Sequence, residues 1–433
     1  MTAVDHDHGD RMPTRRPVPL AFSRASQPLS LPLSTGYMAF AALVFFAAHG
    51  GFYRFLGLGT PVWLLAYCVV FLWAIRAPRQ VMAVSMQIWP VLCLPAFALL
   101  STVWSVDAPR TPVAAMYLFM TTLITVRISM VLSTRQTMIA LVFGVGIGVV
   151  LSMINMQIAF FTPVYEKNGA LLGIYSQKTQ LGKAAFWTAF AVVAVCAFYR
   201  IRLVGLITSL ICLPIPFWAL SVTGKLGFLF VGLMMLMIAM RRLPMGLRLG
   251  MPFILVALVL SYAVIHVMTG GAIMADLLDF LGKDSTLTGR GLIWAIGYEV
   301  WSDSPLVGIG FNAFWSSPSY ASMVHVISSA ITEGLTGFHN AYVEAFVALG
   351  ALGGLWFVGI VLLTLWRLLR AYLVARTLDS IIWFCAMLAV AMLGMMEDSL
   401  FKPHSGHWMI FVLAYCRSLS AVKLGYASSR LRR

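Results

Sequence analysis

Long apolar segments, separated by short polar connections, occupy most of this chain. A helix needs about 20 apolar residues to cross a hydrocarbon layer roughly 30 Å thick. The 433 residues are 61% hydrophobic and 10% charged, a composition far from that of a soluble globular protein. The sequence therefore predicts an all-α, polytopic integral membrane protein with about twelve transmembrane helices. The predicted spans are residues 36–53, 58–75, 81–104, 111–126, 138–161, 182–199, 203–222, 226–240, 249–268, 341–366, 380–396 and 405–422.

The distribution of basic residues predicts how these spans are oriented. Lys and Arg accumulate in the cytoplasmic connections of membrane proteins. When the N-terminus is placed in the cytoplasm, most of the 30 basic residues fall in inner connections, and every inner connection is basic. The net charge of +15 is then a signal of topology, and binding to nucleic acid is not expected.

The predicted spans divide the chain into five parts. They are a disordered basic cytoplasmic tail at 1–35, nine transmembrane helices within 36–268, a large outer loop at 269–338, three transmembrane helices within 339–422, and a second basic cytoplasmic tail at 423–433. The first tail lacks the apolar core of a signal peptide. Both termini are therefore expected in the cytoplasm.

The outer loop is expected to be ordered, because it is rich in aromatic residues and disordered segments contain few. Within it, "TLTGRGLIWAIGYEVW" predicts an amphipathic helix with Thr288 as N-cap and Arg290 in the first turn. The apolar residues at helical spacing are Leu292, Ile293, Ile296 and Val300. The following "SDSPLVGIGFNAFW" predicts a turn and a Gly-rich bend. Its aromatic side chains, Trp315 among them, stack on sugar rings, lie at the membrane interface or pack into a small core of the loop itself.

Three cations lie on the predicted outer side, where the distribution of basic residues disfavours them. Lys178 precedes the sixth span, Lys225 lies between the seventh and eighth spans, and Arg290 lies in the outer loop. A cation at a membrane boundary costs free energy unless it reaches the headgroups or meets an anion. Snorkelling to the headgroups explains any one of them, but three cations on one side favour an anion-binding site.

A histidine and an amide open the apolar segment "HNAYVEAFVALGALGG". His339 at this position either hydrogen-bonds the preceding turn or takes part in proton transfer, for which an imidazole is suited near neutral pH. The three outer cations favour the second interpretation. So do the acidic residues Glu344, Glu397 and Asp398, which are predicted on the same side.

Four motifs, in order along the chain, resemble those of the O-antigen polymerase and O-antigen ligase superfamily. They are "YSQKTQLG", "LGKDSTLTGRGLIW", "SPLVGIGFNAFW" and "HNAYVEAFVALGALG". The resemblance spans roughly residues 170–360 and is closest to the exopolysaccharide polymerase branch. It implies a GT-C-like membrane glycosyltransferase with one large periplasmic loop, and no metal or other cofactor. The first motif departs from the family pattern at Gln177 and Thr179, where His and Asn are expected.

The resemblance also implies which residues act. It nominates His339 as the general base, with Arg290 and Glu397 as further catalytic residues. The residues that would bind pyrophosphate or sugar are Lys178, Lys225, Arg290, Asn340 and Trp315. A planar guanidinium such as that of Arg290 can hold two phosphate oxygens at once.

The implied reaction joins oligosaccharide repeats carried on undecaprenyl pyrophosphate into a surface polysaccharide. Donor and acceptor would both be such lipids, and the active site would face the periplasm from a bacterial inner membrane. A chain-length regulator is a further expected partner beside the membrane lipids. The nearest alternative is an O-antigen ligase, which transfers the glycan to lipid A-core. A lipid or solute transporter is disfavoured, because the outer charges lie at the ends of spans and the two halves of the chain do not resemble each other.

Overall fold

The computed structural model describes residues 31–53, 55, 57–241, 290–330 and 337–430. Its regular secondary structure in these ranges is helical, apart from one isolated antiparallel bridge between Tyr165 and Leu171. The helices are α1 Leu31–Ala48, α2 Gly59–Arg76, α3 Pro78–Leu100, α4 Thr111–Val131, α5 Thr134–Ile158, α6 Lys178–Tyr199, α7 Arg202–Cys212, α8 Ile215–Trp218, α9 Val222–Met240, α10 Arg290–Asp303, α11 Ala321–Ala330, α12 Ala341–Ala375, α13 Leu378–Leu393 and α14 Gly406–Arg430.

Seven helical segments are long and apolar enough to cross a membrane, which agrees with the predicted polytopic membrane protein. They are Gly59–Arg76, Pro78–Val103, Thr111–Val131, Thr134–Ile158, Lys178–Tyr199, Val222–Met240 and Ala341–Ala375. Three shorter apolar segments, Ser34–Ala48, Arg202–Trp218 and Leu378–Leu393, coincide with further predicted spans. The predicted span 249–268 lies outside the described residues, so the count of about twelve stays a prediction.

The seventh predicted span, 203–222, is not one continuous helix. The chain forms α7, a turn, the single-turn α8 and a second turn before α9 begins. Pro214 and Pro216 lie at this break, and proline ends a helix because it lacks the backbone N–H and its ring clashes with the preceding turn. The predicted span therefore corresponds to the apolar segment Arg202–Trp218, which is broken at the prolines.

Helix α6 is the most buried of the membrane-crossing helices, and it crosses α9 at two glycines. A Cβ atom on Gly224 would lie 2.8 Å from the Cα of Gly182, and a Cβ on Gly182 would overlap the Ser221 side chain. Small residues allow helices in a membrane to approach this closely. Lys183 follows Gly182 on α6, and Thr223 precedes Gly224 on α9. The crossing therefore brings Lys183 close to Thr223.

Helix α12 is broken at Gly350, where the outer loop docks against it. Gly350 has φ 63° and ψ −166°, a conformation accessible essentially only to glycine. The backbone N–H groups of Ile309 and Gly310 donate to the carbonyls of Val347 and Ala348, at 3.1 and 3.0 Å. A break in a membrane helix is tolerated where other protein groups satisfy the freed backbone. The Gly-rich bend predicted from the sequence supplies those groups.

The predicted amphipathic helix of the outer loop corresponds to α10, and Arg290 is the first of its residues that the structure describes. Its buried face is formed by Ile293, Ile296 and Val300, whereas Leu292 is 40% exposed. Thr288, the predicted N-cap, lies outside the described residues. The buried face packs into a separate small core. The other members of that core are Ile309, Phe314, Ile327, Phe338 and Val347.

Candidate active site

A polar cavity of about 500 Å³ lies where four connections of the bundle meet. Its wall is formed by the residues after α1, the residues before and within the first turns of α6, the residues before α12, and the connection from α13 to α14. All four lie on the outer side in the predicted topology. The charged and imidazole side chains on the wall are His49, Glu166, Lys178, Lys183, His339, Glu397, Asp398, Lys402, His404 and His407.

The most buried ion pair of the cavity joins Lys183 and Glu397. Lys183 Nζ donates to Glu397 Oε2 at 3.2 Å, and the two side chains are 14% and 7% exposed. Thr223 Oγ1 donates to the other carboxylate oxygen at 2.9 Å. The close crossing of α6 and α9 positions both donors, so both oxygens of Glu397 are engaged.

Two further lysines of the wall also pair with carboxylates. Lys178 Nζ lies 3.1 Å from Glu166 Oε2, and Lys402 Nζ lies 2.5 Å from Asp398 Oδ2. The backbone at Gly337 lies directly against the second pair, because a Cβ there would overlap the Asp398 carboxylate. The cavity therefore holds three ammonium groups, and each is positioned by a carboxylate.

His339 lies on the wall beside Glu397, in an uncommon backbone conformation. Its φ is 49°, in the left-handed region that few residues other than glycine occupy. Two residues further on, the N–H of Ala341 donates to the carbonyls of Gly394 and Glu397 at 2.8 and 3.1 Å. The imidazole acts electrostatically on the Glu397 carboxyl. These backbone bonds fix His339 beside Glu397, and a strained residue held in place by its surroundings is a frequent feature of functional sites.

The small core of the outer loop holds the residue before His339. Phe338 is fully buried, and its ring centroid lies 4.9 Å from that of Phe314 and 5.2 Å from that of Trp315. Trp294 Nε1 donates to the Phe338 carbonyl at 3.0 Å. The aromatic residues of the loop therefore pack together, as one of the sequence interpretations expected, and through Phe338 they support His339.

The structure does not bring all of the predicted binding residues to the cavity. Among the described residues, the wall does not include Asn340, Lys225 or Trp315. Asn340 is the N-cap of α12, and its Oδ1 accepts from the N–H groups of Tyr342 and Val343. Lys225 lies over the ring of Phe217, with Nζ 4.9 Å from the centroid. A capping amide and a cation over an aromatic ring are structural contacts. A substrate role for these three residues stays a prediction.

Arg290 is the first residue of α10 that the structure describes, and its side chain lies outside the described part.

Electrostatics keep the central carboxyl group ionised. Burial raises the pKa of Glu397, but the Lys183 ammonium, His339 and the hydrogen bonds from Thr223 and Lys183 outweigh burial and lower it to about 2. Burial lowers the pKa of Lys402, whereas Asp398 and the other nearby carboxylates raise it more, so it stays a cation. The pair of Glu397 with Lys183 therefore persists across ordinary pH, and a carboxylate of such low pKa is a weak proton acceptor.

Among the charged and imidazole side chains of this wall, the sequence analysis missed six: Lys183, Lys402, Glu166, His49, His404 and His407. Three of them lie within predicted apolar spans: Lys183 in 182–199, His49 in 36–53 and His407 in 405–422. An ionisable residue inside a membrane span indicates function by default. That signal was available, whereas Lys402 and His404 lie in a short connection where polar residues are ordinary.

Two comparisons with known proteins relate parts of this chain to a family and to a relative. The family model described as O-antigen ligase matches residues 207–358. A stretch of 157 residues is 31% identical to the exopolysaccharide production protein ExoQ of Rhizobium meliloti. That stretch covers 35% of this chain and 35% of the length of the relative. The matched family region contains Arg290 and His339 but not the first of the four motifs, whose residue Lys178 lies on the cavity wall.

This is a polytopic membrane protein. It has a buried, ion-paired polar cavity at one end of its helix bundle. Residues 207–358 match the O-antigen ligase family model, and the resemblance to the O-antigen ligase and polymerase superfamily, in its exopolysaccharide branch, is confirmed.

Proposed function

We propose that the protein is a membrane glycosyltransferase that joins oligosaccharide repeats carried on undecaprenyl pyrophosphate into a surface polysaccharide. The cavity would face the periplasm of a bacterial inner membrane, with both termini in the cytoplasm. No sugar nucleotide is expected there, so the energy for the new glycosidic bond comes from the glycosyl–pyrophosphate bond of the donor lipid. The acceptor is a second lipid-linked repeat, and a chain-length regulator is a further proposed partner.

The leaving group sets the first requirement of this reaction. As the bond between the anomeric carbon and the phosphate oxygen breaks, negative charge develops on the pyrophosphate. Fixed positive groups that are positioned before the reaction stabilise such charge most effectively. Lys178, Lys183 and Lys402 line the cavity and are held by carboxylates. We assign the leaving group to these lysines and to Arg290 at the start of α10.

The attacking group sets the second requirement. A hydroxyl of the acceptor sugar attacks the anomeric carbon, and its proton passes to the imidazole of His339. The ionised Glu397 favours the imidazolium that forms, because an opposite charge nearby stabilises it. Glu397 is thereby a positioning and electrostatic residue rather than a proton acceptor. Direct attack inverts the anomeric configuration, so the anomer of the product tests the single-step route.

One observation carries the proposal: His339 lies on the same cavity wall as three lysines, each paired with a carboxylate. A proton acceptor and a cationic cradle for pyrophosphate are the two components that this transfer needs. The described residues contain no group of three His, Cys, Asp or Glu side chains arranged to hold a metal ion. The proposed chemistry uses the lysines for charge stabilisation, so turnover is expected to continue in a chelator. A chelator-sensitive activity that magnesium restores would assign the charge to a metal ion instead.

The experiment is a ladder assay with the purified full chain in lipid nanodiscs and a single lipid-linked repeat. Wild type is expected to form a series of longer lipid-linked chains. His339→Ala is expected to lose about 10²- to 10⁴-fold of the rate, which is the usual contribution of a general base. His325→Ala is the matched control, because His325 is exposed on α11. A ladder of normal rate from a well-folded His339→Ala protein would refute the assigned base.

The ligase alternative has its own support, since the matching family model is described as O-antigen ligase. A ligase uses the same cavity chemistry but transfers the glycan to lipid A-core. Supplying both acceptors in one assay separates the two functions. Elongation of the lipid-linked repeat supports the polymerase, and transfer to lipid A-core without elongation supports the ligase.

A further inference from the structure

Two imidazoles on the cavity wall have no part in the proposed transfer. His49 directly follows α1, and His407 is the second residue of α14. Their side chains belong to residues that are 9% and 2% exposed. Within the described part of the chain, Nε2 of each ring is buried and has no hydrogen-bond partner. A buried polar atom costs free energy unless something binds it, so these two nitrogens indicate a ligand.

The tautomer of His49 determines what its Nε2 can bind. Nδ1 donates to the Phe45 carbonyl at 2.9 Å, so Nε2 of the neutral ring carries a lone pair and accepts a hydrogen bond. Burial lowers the pKa of His49 to about 4, and the Lys183 ammonium acts in the same direction against the hydrogen bond to Phe45. His49 is therefore neutral at ordinary pH, and its Nε2 needs a donor such as a hydroxyl group.

His407 complements His49 in the hydrogen bonds that it can form. Its Nδ1 lies 2.8 Å from Ser399 Oγ, which can either donate or accept. Nε2 can therefore donate or accept in turn. The ring of Trp187 contacts the imidazole edge to face, with centroids 5.9 Å apart, and this contact fixes its orientation. A sugar hydroxyl, which both donates and accepts, is a match for either state.

A glycine allows the two rings to approach each other. A Cβ at Gly406 would overlap the His49 ring, so His49 packs directly on the first residue of α14, beside His407. The two imidazoles also act on each other electrostatically. They therefore form one cluster at the start of α14. The third imidazole of this part of the wall, His404, differs because its Nε2 already contacts the Tyr67 hydroxyl.

We propose that His49 and His407 form a subsite that binds hydroxyl groups of the acceptor sugar. Pyrophosphate does not suit it, because phosphate oxygens accept hydrogen bonds and the Nε2 of neutral His49 also only accepts. The cavity thereby separates its tasks: lysines take the leaving group, and neutral imidazoles hold the glycan. The identity of the ligand rests on the proposed function, whereas the unmet hydrogen-bonding capacity does not.

The test measures ligand binding apart from turnover. The full chain in nanodiscs is titrated with the repeat oligosaccharide released from its lipid, and separately with inorganic pyrophosphate, by thermal shift. Wild type and His339→Ala are expected to bind both probes. The double variant His49→Phe/His407→Phe keeps ring volume and is expected to bind the oligosaccharide roughly tenfold more weakly or worse, with pyrophosphate binding unchanged. His325→Phe is the matched control.

Glutamine variants exclude a purely structural effect. His49→Gln and His407→Gln retain polar atoms and are expected to bind the oligosaccharide better than the phenylalanine variants. If glutamine restores nothing, the rings act through shape alone and the subsite is refuted. Equal oligosaccharide affinity of wild type and the double variant, which would leave the nitrogens to water, refutes it as well. If wild type forms no ladder but the double variant still loses oligosaccharide binding, the proposed function fails and the subsite stands.

Discussion

Cations at the two ends of the helix bundle have different surroundings. At the end that carries the cavity, Lys178, Lys183 and Lys402 each pair with a carboxylate. At the opposite end, the guanidinium groups of Arg135 and Arg367 lie over tyrosine rings, 5.7 Å from the centroids in both cases. The same charge is thus anchored by acids at one end and by aromatic rings at the other.

This difference in surroundings distinguishes cations of a functional site from cations that only mark the orientation of the membrane spans. An arginine over a ring near the membrane boundary keeps its charge available to headgroups and requires no other polar group in the protein. A buried lysine with its own carboxylate is costly to desolvate, and removing one partner leaves an uncompensated charge. Such pairs are weak evidence for stability, so their concentration around one cavity indicates function.

The largest expected effect tests this comparison directly. Lys183→Met keeps side-chain length and removes the charge, and we expect turnover to fall by about 10²- to 10³-fold, the usual loss when one donor to a developing anion is removed. Arg135→Met at the opposite end is the matched control, with turnover close to that of wild type. The ladder assay measures both. Equal losses for the two variants would break the distinction between the ends.

The unpaired Glu397 of Lys183→Met could also affect folding, so the double variant Lys183→Met/Glu397→Gln accompanies it. Removing both charges relieves the buried anion, and we expect thermal stability to recover while turnover does not. Recovery of turnover together with stability would mean that Lys183 serves the fold only.

A second prediction concerns the acid that holds this lysine. Glu397→Gln keeps the side-chain shape and one oxygen, replaces the other oxygen by an NH2 group and removes the charge, and we expect a loss of stability of about 1–3 kcal/mol, with a smaller loss of turnover than in Lys183→Met. Because the folded-state pKa is lowered from 4.5 to about 2, the contribution of Glu397 is complete above pH 4.5 and disappears only as the pH falls through 2. Unfolding midpoints in detergent at pH 5.5 and 7.5 should therefore differ from wild type by the same amount. A difference that shrinks at pH 5.5 would contradict the lowered pKa.

Sequence patterns predicted the individual elements of this site better than the contacts between those elements. Apolar windows and capping signals predicted a helix that contains Arg290, now α10, and the start of α12 after Asn340. The pairing of Lys183 with Glu397 joins positions 214 residues apart. It depends on how closely α6 and α9 cross, which single-helix periodicity does not contain. Hydropathy also does not predict which charged residues form an ion pair.

The break in α12 was hidden for a related reason. Apolar residues continue on both sides of Gly350, so the periodicity predicts an unbroken helix, and nothing in it reports a φ of 63°. The backbone hydrogen bonds that satisfy the break come from the outer loop, a contact between distant parts of the chain. Conversely, the sequence predicts Asn340 as a substrate ligand, and the structure shows it in another common role of Asn at a helix start, that of the N-cap.

A third prediction tests whether the docked loop supports the cavity end. Gly350→Ala places a side chain in a backbone conformation that is open essentially only to glycine, and the added Cβ would overlap the Leu306 backbone. We therefore expect the free energy of unfolding to fall by more than about 1–3 kcal/mol. Gly359→Ala in the same helix is the matched control. No atom among the described residues lies within 4 Å of a Cβ there, so we expect no loss or a gain of about 0.5–1 kcal/mol. Chemical unfolding in detergent compares them, and equal stability of the two variants would show that the loop does not fix the break.

The smallest expected effect tests whether the role of a cation depends on its end of the bundle or on the groups that surround it. Lys225 lies at the predicted outer side, yet it is positioned over Phe217 as the arginines of the opposite end are over tyrosines. If surroundings decide, Lys225→Gln should lose only a cation–π contact of about 0.5–1 kcal/mol, and the ladder assay should show turnover within about threefold of wild type. Lys178→Gln, on the cavity wall, is the companion variant and should lose far more. A loss for Lys225→Gln as large as for Lys178→Gln would restore the role in pyrophosphate binding predicted from the sequence, and would mean that the cavity extends toward α9 when the lipid binds.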